Sequence, residues 1–532
     1  MPSAKNSDVF KSWVPDWLIL VGIFLFLIPI ASVLGIYMAG INSAASYYGI
    51  DAIDVRLSVV IFYLAIVCAF PIEKHFFNRF SSRPYLVGCA LIYVAINLIL
   101  YSISSFAVLL ILRFLGGVLS LSFIGISFSM IFRQFHAQRS RVLGYATLYS
   151  SLFATAPLAQ ILDAYVFTEY DFNTIFLVKI YALIPGLLLF LFLLKPKIDL
   201  RPEGKVPFKN VDWKSFVLLA TPLILIAYIL LYGQYYHWLK SIRITFCMIA
   251  FVFFTMLFVI RQLKLKDPYI DLGVFKTRNF RIGMLLLIAF YFAKGDTSAL
   301  YGFFGNSVNL DMYNQGYVML INAVGIIVGA ALSARFILAK MNIRLIWITG
   351  FGALLAYHLL SLNVLANQAE MSDLLLPLFL QGFGNGSLIL SIVMFYVTAV
   401  PPNIGFSASV TGVAFRFFTF TASMALVSFM SLHQQKVHQQ SFAEHLTADN
   451  PIAMQHIAEY SQALQQEGNL VESPNASNAL LNREVAKQTN LMFVRDYFIY
   501  MSVFIVLVML AIALIPHFHY HIRKIGAKLI PV

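Results

Sequence analysis

The residues of this chain with the types and spacing to do chemistry are ionisable side chains set inside long apolar runs. Arg113, Lys179, Lys294 and Arg416 lie within such runs, Asp163 closes one, and Lys294-Gly295-Asp296 places an amine and a carboxyl on either side of a glycine. An ionisable group away from water is costly unless paired or hydrated, so each marks a place where charge is used. Asp296 can load and release a proton, and Lys294 can hold an anion. Residues at i and i+2 point apart on a helix, so these two have separate partners; the alternative is a structural ion pair for each with another segment. Arg113 can bind an acidic group or expel a proton from a neighbouring carboxyl, or it can stand as a fixed charge bonded to carbonyl oxygens. Lys179 and Asp163 fit a structural pair, with a snorkelling amine as the other reading of Lys179. Arg416 fits a gating or packing charge.

Other chemistries find less support. His358 stands alone in an apolar run and is expected to be a hydrogen-bonded core residue. His517, His519 and His521 form an interfacial cluster with no carboxylate or cysteine to complete a metal site. The cysteines, Cys68, Cys89 and Cys247, all lie in apolar runs and imply neither a disulfide framework nor a thiolate cluster. There is no Gly-x4-Gly-Lys-Ser/Thr loop to cradle phosphates, and no nucleophile–base set recurs. Neither an enzyme nor a cofactor is implied.

The elements that must position these charges follow from composition. Of 532 residues, 60% are hydrophobic and 11% charged, about half the charged fraction of a soluble domain. Fourteen apolar runs, from Leu18–Met38 to Tyr497–Ile515, approach or exceed the length that crosses a bilayer, and lipid forces them to be helical. The first is too long for a signal-peptide core and is expected to be a retained span. The net charge of +13 belongs to the membrane rather than to nucleic acid, because most Lys and Arg fall in loops on the side of the termini. The opposite side holds only Arg56, Lys240, Arg243, Lys436, Arg483, Lys487 and Arg495. Both termini are therefore expected to be cytoplasmic. Residues 433–493, rich in Gln, Asn, Ala and Glu, are expected to form short amphipathic helices on the outer side, and the Asn475-Ala-Ser477 sequon is taken as chance. Tyr313, Tyr317 and Trp238 read as anchors at the membrane surface.

An internal repeat aligns Leu109–Gly117 (LLILRFLGG) with Leu374–Gly382 (LLLPLFLQG), pairing Gly117 with Gly382. Internal symmetry of this kind is the mark of secondary transporters, whose substrate site lies between the repeats. With the segment Asp267–Gly283 (DPYIDLGVFKTRNFRIG), the Pro377–Gly382 run with Pro401-Pro402 after it, Arg416, and a long outer loop before the last span, the chain resembles the fourteen-span drug:proton antiporter branch of the major facilitator superfamily. Its coupling motifs depart from that branch. In the loop after the second span, Lys74, Asn78, Arg79 and Arg83 stand where the branch has Gly-x3-Asp-Arg-x-Gly-Arg-Arg, so the gating aspartate is missing. Arg113 and Gly117 retain the Arg-x-x-Gln-Gly motif with Gly116 in place of glutamine, whereas only Pro157 remains of Gly-Pro-x-x-Gly-Gly. The first span lacks the branch's aspartate near Ser32–Asn42.

The resemblance implies an all-α membrane protein of the major facilitator fold with fourteen transmembrane helices. Residues 1–200 form one six-helix bundle, 201–265 two additional spans, and 266–532 a pseudo-symmetric second bundle with outer loop 433–493. It implies a secondary active transporter in the inner membrane that exports hydrophobic or amphiphilic small molecules in exchange for protons. In double-membraned bacteria a periplasmic adaptor and an outer-membrane channel are implied as partners. Substrate or proton coupling falls to Arg113, Asp296 and Lys294, and gating or structural charge to Arg416, Lys179, Asp163 and Arg79. The alternative reading is a metabolite or siderophore transporter, importer or uniporter, without proton antiport; a channel or a membrane-embedded enzyme ranks below both.

Overall fold

The computed structural model describes residues 10–31, 40–80, 83–134, 139–195, 211–295, 297–308, 310–365, 369–447, 449–466 and 473–514. Helices account for nearly all of them. The amino-terminal group is α1 (Asp16–Ala31), α2 (Ile41–Tyr48), α3 (Ala52–Phe80), α4 (Arg83–Ser102), α5 (Phe106–Gln134), α6 (Ser140–Glu169) and α7 (Thr174–Leu193). A hairpin of α8 (Trp213–Tyr232) and α9 (Ile242–Lys264) follows. The carboxyl-terminal group is α10 (Arg278–Ala293), α11 (Thr297–Gly302), α12 (Met312–Leu338), α13 (Ile343–Val364), α14 (Met371–Thr398), α15 (Gly405–His445), α16 (Pro451–Gln466) and α17 (Ser473–Leu514).

Twelve of the described helices are long and apolar enough to cross a membrane, and α1 adds a shorter apolar stretch, Trp17–Leu27. Prolines stand inside several of them, at Pro71, Pro157, Pro185, Pro222 and Pro377; packed membrane helices tolerate them because neighbours satisfy the freed carbonyls. Polar residues cap where the chain leaves the apolar layer: Asp311 accepts from the Asn314 amide at 3.2 Å, and Glu370 with Asp373 forms a capping box. The expected ninth span, Ile282–Phe304, is not one helix. It breaks after Ala293, where Lys294 caps α10, and resumes as α11 and a π turn, Phe303–Ser307.

Within each group a corresponding pair of helices packs backbone on backbone. A β-carbon at Gly117 of α5 would overlap the Phe62 carbonyl of α3, and one at Gly382 of α14 would overlap the Asn322 carbonyl of α12. These are the two glycines aligned by the repeat, so corresponding positions make the same contact in the two groups. Asn322 also bonds the Leu378 carbonyl at 3.0 Å and Gln381 at 2.8 Å. The groups meet along a seam where α6 packs on α12 and α3 on α15. At one end of the seam the 267–276 segment acts as a strap: the Tyr269 hydroxyl donates to the Cys68 carbonyl of α3 at 2.6 Å and the Asp271 amide to the Ser407 hydroxyl of α15 at 3.0 Å. At the other end Tyr301 bonds Gln160 at 2.6 Å, Tyr313 bonds Glu169 at 3.3 Å, and Arg56 bonds Ser428. Tyr313 is thus a seam contact as well as a surface residue, while Tyr317 is 51% exposed as an anchor should be.

The hairpin lies at the periphery, α8 against α3, with α9 exposing Ile242, Phe246 and Leu263. The 433–493 segment differs from expectation. Among the described residues only α16 is a short helix of its own; α15 runs on through Gln- and Ala-containing sequence to His445, and α17 begins at Ser473. The Gln-rich α15 extension contains no glycine or proline to stop it, and in the α17 extension the one proline, Pro474, stands in the first turn, where a helix tolerates it. A His438–Asp496 contact of 2.8 Å ties the two together.

Two predictions follow from these contacts. Gly117→Val and Gly382→Val should each lower stability by about 1–3 kcal/mol by overpacking. Gly88→Ala, where a β-carbon meets nothing within 4 Å, should not; thermal unfolding in detergent reads the difference. Asp212 caps α8 and also bonds Arg261 of α9 at 2.8 Å. Burial disfavours its carboxylate, but hydrogen bonds from the Ser215 hydroxyl and amide and from Arg261 outweigh that and hold it below the ordinary 3.8. Its contribution should be complete above that value and disappear as pH falls through the depressed one. The stability gap between the natural chain and Asp212→Asn should therefore close in acid.

Candidate functional site

Arg416 sits about three turns into α15 and faces the seam, 9% exposed. Its guanidinium carbon lies 5.2 Å from the Tyr149 ring centre, and its electrostatic partners are Tyr149, Tyr396, Tyr63 and Tyr291. Those tyrosines come from α6, α14, α3 and α10, so both groups of helices contribute to one cage. The Tyr63 and Tyr291 hydroxyls interact across the seam. Among the described residues no carboxylate is within ion-pair distance of Arg416, and its Nε has no hydrogen-bond partner. π faces and phenol oxygens take the place of water around the charge.

Lys294 joins the same cluster. The break after Ala293 turns its ammonium over Phe153 of α6 at 4.3 Å, with Tyr291 at 5.4 Å and Phe290 at 5.8 Å. Tyr291 thereby links the two cations. A cluster of two positive groups walled by aromatic rings can hold an anionic or aromatic ligand by charge, hydrogen bonding and stacking.

A second cluster lies within the amino-terminal group. Arg113 of α5 is 3% exposed; its Nε donates to the Ser58 carbonyl at 3.3 Å and its guanidinium lies 4.9 Å from the Phe62 ring. Lys179 is 4% and Asp163 1% exposed. Asp163 attracts the lysine and Arg113 repels it, while neither Asp163 oxygen receives a hydrogen bond. Lys179 therefore does not snorkel: it points inward, over Phe176 at 5.0 Å, because α7 turns that face to its neighbours.

The structure thus links Lys294 to Arg416 through Tyr291, and sets Lys179 between Arg113 and Asp163. Asp296 and the Arg79 side chain lie outside the described residues. His358 is a core residue as expected, fully buried with Nδ1 2.7 Å from the Leu354 carbonyl. Sequence reasoning missed the tyrosine cage, Phe153, and the Glu73 carboxyl that packs over Gly125. Tyr145 and Tyr149, four apart in an apolar run, were the available signal, diluted among 27 tyrosines. Near the strap end, a cleft of about 860 Å³ runs between α6 and α12, with Arg139 and Arg335 in its lining.

If the cage solvates Arg416, Tyr149→Leu should destabilise the protein by about 1–2 kcal/mol. Adding Arg416→Leu should recover most of that loss, since the charge that needed the ring is gone. A double-mutant cycle by thermal unfolding measures the coupling.

Comparison with known proteins agrees with this architecture. The Major Facilitator Superfamily profile matches residues 19–428. The chain is 23% identical over 298 residues to the colistin resistance protein EmrB of Acinetobacter baumannii, covering 54% of this chain and 56% of that protein, so that match spans little more than half the relative's length. It is 22% identical to the probable multidrug resistance protein EmrY of Escherichia coli, covering 81% of this chain and 85% of that one. Among solved structures, a POT family transporter in complex with a thioalcohol-conjugated peptide superposes with a TM-score of 0.55 at 13% identity, covering 96% of this chain and 99% of that one. The proton:xylose symporter XylE does so with a TM-score of 0.50 at 12% identity, covering 79% and 90%. A polytopic helical chain whose two helix groups meet along a seam that holds Arg416 and Lys294, matched by that profile over most of its length, belongs to the major facilitator superfamily, a family of transporters rather than enzymes.

Proposed function

We propose that this chain is a fourteen-span, proton-coupled exporter of hydrophobic or amphiphilic small molecules, working by alternating access. Residues 1–200 and 266–532 act as the moving lobes and 201–265 as two peripheral spans. Both termini face the cytoplasm, as the placement of basic residues favours. The observation that carries the reading is the seam cluster: Arg416 and Lys294, caged by aromatics from both lobes, sit where a substrate would bridge them. The names of EmrY, a probable multidrug resistance protein, and EmrB, a colistin resistance protein, support efflux; the inner membrane, and a periplasmic adaptor and outer-membrane channel as partners, rest on the resemblance to the drug:proton antiporter branch.

Proton coupling falls to carboxyls within or bordering the spans. Asp296 adjoins Lys294-Gly295, and Asp163 is the acid whose oxygens have no hydrogen-bond donor. Lys179, itself repelled by Arg113, stands close enough to Asp163 to bias its proton. Arg79, in the last turn of α3, would supply a gating charge. The reading as a metabolite or siderophore carrier without antiport draws on the missing gating aspartate and on the loss of the Gly-Pro-x-x-Gly-Gly pattern at Pro157.

Reconstitution in liposomes with an imposed pH gradient, screening labelled amphiphiles, tests the proposal. Gradient-driven accumulation is expected, with Arg416→Gln reducing it roughly tenfold or more, as loss of a buried charged contact would. Asp296→Asn or Asp163→Asn should remove the gradient dependence while leaving exchange. Transport indifferent to the gradient in the natural chain would support the metabolite reading, and full activity in Arg416→Gln would remove the seam cluster from the substrate path.

A further inference from the structure

The α6–α12 cleft lies apart from the seam cluster and has a different character. Its walls follow one face of each helix, through Ala146 and Ser150 of α6 and Ile327 and Ala331 of α12. Arg139, at the start of α6, and Arg335, in the last turns of α12, bring positive charge to the same end of it. Among the described residues no carboxylate lines it. From Ile327 to Ala339 the α12 wall rises about 18 Å at 1.5 Å per residue, close to the depth of one leaflet of a bilayer core about 30 Å thick. The alanines keep the floor open, and Ile327, 48% exposed, carries the cleft onto the outer apolar surface of α12.

Positive charge at one end and an apolar channel of leaflet depth, open to the side, fit a molecule with a phosphate at one end and a hydrocarbon tail. We propose that the cleft holds one anionic phospholipid, its phosphate between Arg139 and Arg335 and an acyl chain along the alanine wall. Basic pockets between spanning helices recognise such headgroups by the same chemistry. The leaflet is the cytoplasmic one, an assignment that rests on the topology proposed above; the binding itself does not. Because α6 and α12 belong to opposite sides of the seam, the lipid would bridge them, and its occupancy would bias how far they part.

The test uses the full-length protein purified in a neutral detergent and titrated with phosphatidylglycerol, with phosphatidylcholine, or with inorganic phosphate. Native mass spectrometry counts the bound copies and thermal unfolding reads their effect. The expected result is one retained phosphatidylglycerol that raises the unfolding midpoint, with little effect from the other two. Arg139→Gln with Arg335→Gln should weaken binding about tenfold or more. Ala331→Leu, which keeps both charges but fills the channel, should weaken it too. Lys276→Gln with Arg278→Gln, exposed basic residues outside the cleft, should leave it unchanged. Equal binding of phosphatidylcholine, equal stabilisation by inorganic phosphate, or retention of phosphatidylglycerol by the double arginine variant would overturn the proposal. Failure of transport in liposomes would not touch it, since no substrate enters this measurement.

Discussion

A guanidinium carried to the middle of a membrane protein must find its solvation in the protein, and Arg416 finds it in tyrosines. Tyr63 and Tyr149 belong to the amino-terminal helices, and Tyr291 and Tyr396 to the others. The cage therefore exists only while the two groups are together at this depth. Any movement that opens the seam strips the charge of part of its partners, and water or a ligand must replace them. Lys294 is placed under the same constraint, since the closest ring beneath its ammonium, Phe153, comes from across the seam. The energetic cost of exposing these cations links what fills the seam to how far it opens.

Such a linkage is useful only if the two groups move as bodies. The contacts at Gly117 and Gly382 supply that stiffness, because helices that touch backbone to backbone cannot slide without collision. Asn322, bonded to both Leu378 and Gln381, locks the second of these pairs. The seam itself is held mostly at its ends, by the strap through Tyr269 and Asp271 and by the Tyr301, Tyr313 and Arg56 bonds. Single hydrogen bonds of this sort contribute about 1 kcal/mol each, small enough to be exchanged as the groups rearrange.

Much of the frame was legible in the residues. Apolar runs marked the helices, although the ninth, Ile282–Phe304, was expected to run unbroken through Lys294-Gly295-Asp296. The Leu109–Gly117 repeat found two equivalent helix contacts. What escaped was whatever depends on neighbours distant in the chain. Arg416 could be singled out as a buried charge, but the rings that solvate it come from four helices spread between residues 63 and 396, and no spacing rule gathers them. Lys179 looked able to snorkel because its position near a helix end suggested it; which face α7 turns inward is decided by packing. The outer segment misled for a different reason. Its polar composition suggested a separate loop, whereas helix propensity without breakers simply prolongs α15 and α17.

The helix α6 draws these features together. Along one rod it carries Arg139 at the cleft, Tyr149 and Phe153 against the two seam cations, Gln160 and Glu169 in the far-end contacts, and Asp163 beside Lys179. Asp163 lies ten residues beyond Phe153, about 15 Å along the axis, too far for direct contact with a ligand at Arg416. A change of charge at Asp163 would instead act on the seating of α6 against α5 and α7, and a tilt of α6 would shift Tyr149 and Phe153 at the seam. Coupling by this route needs no carboxylate in the binding site, so a positively charged seam and a proton-driven cycle are compatible in the same chain.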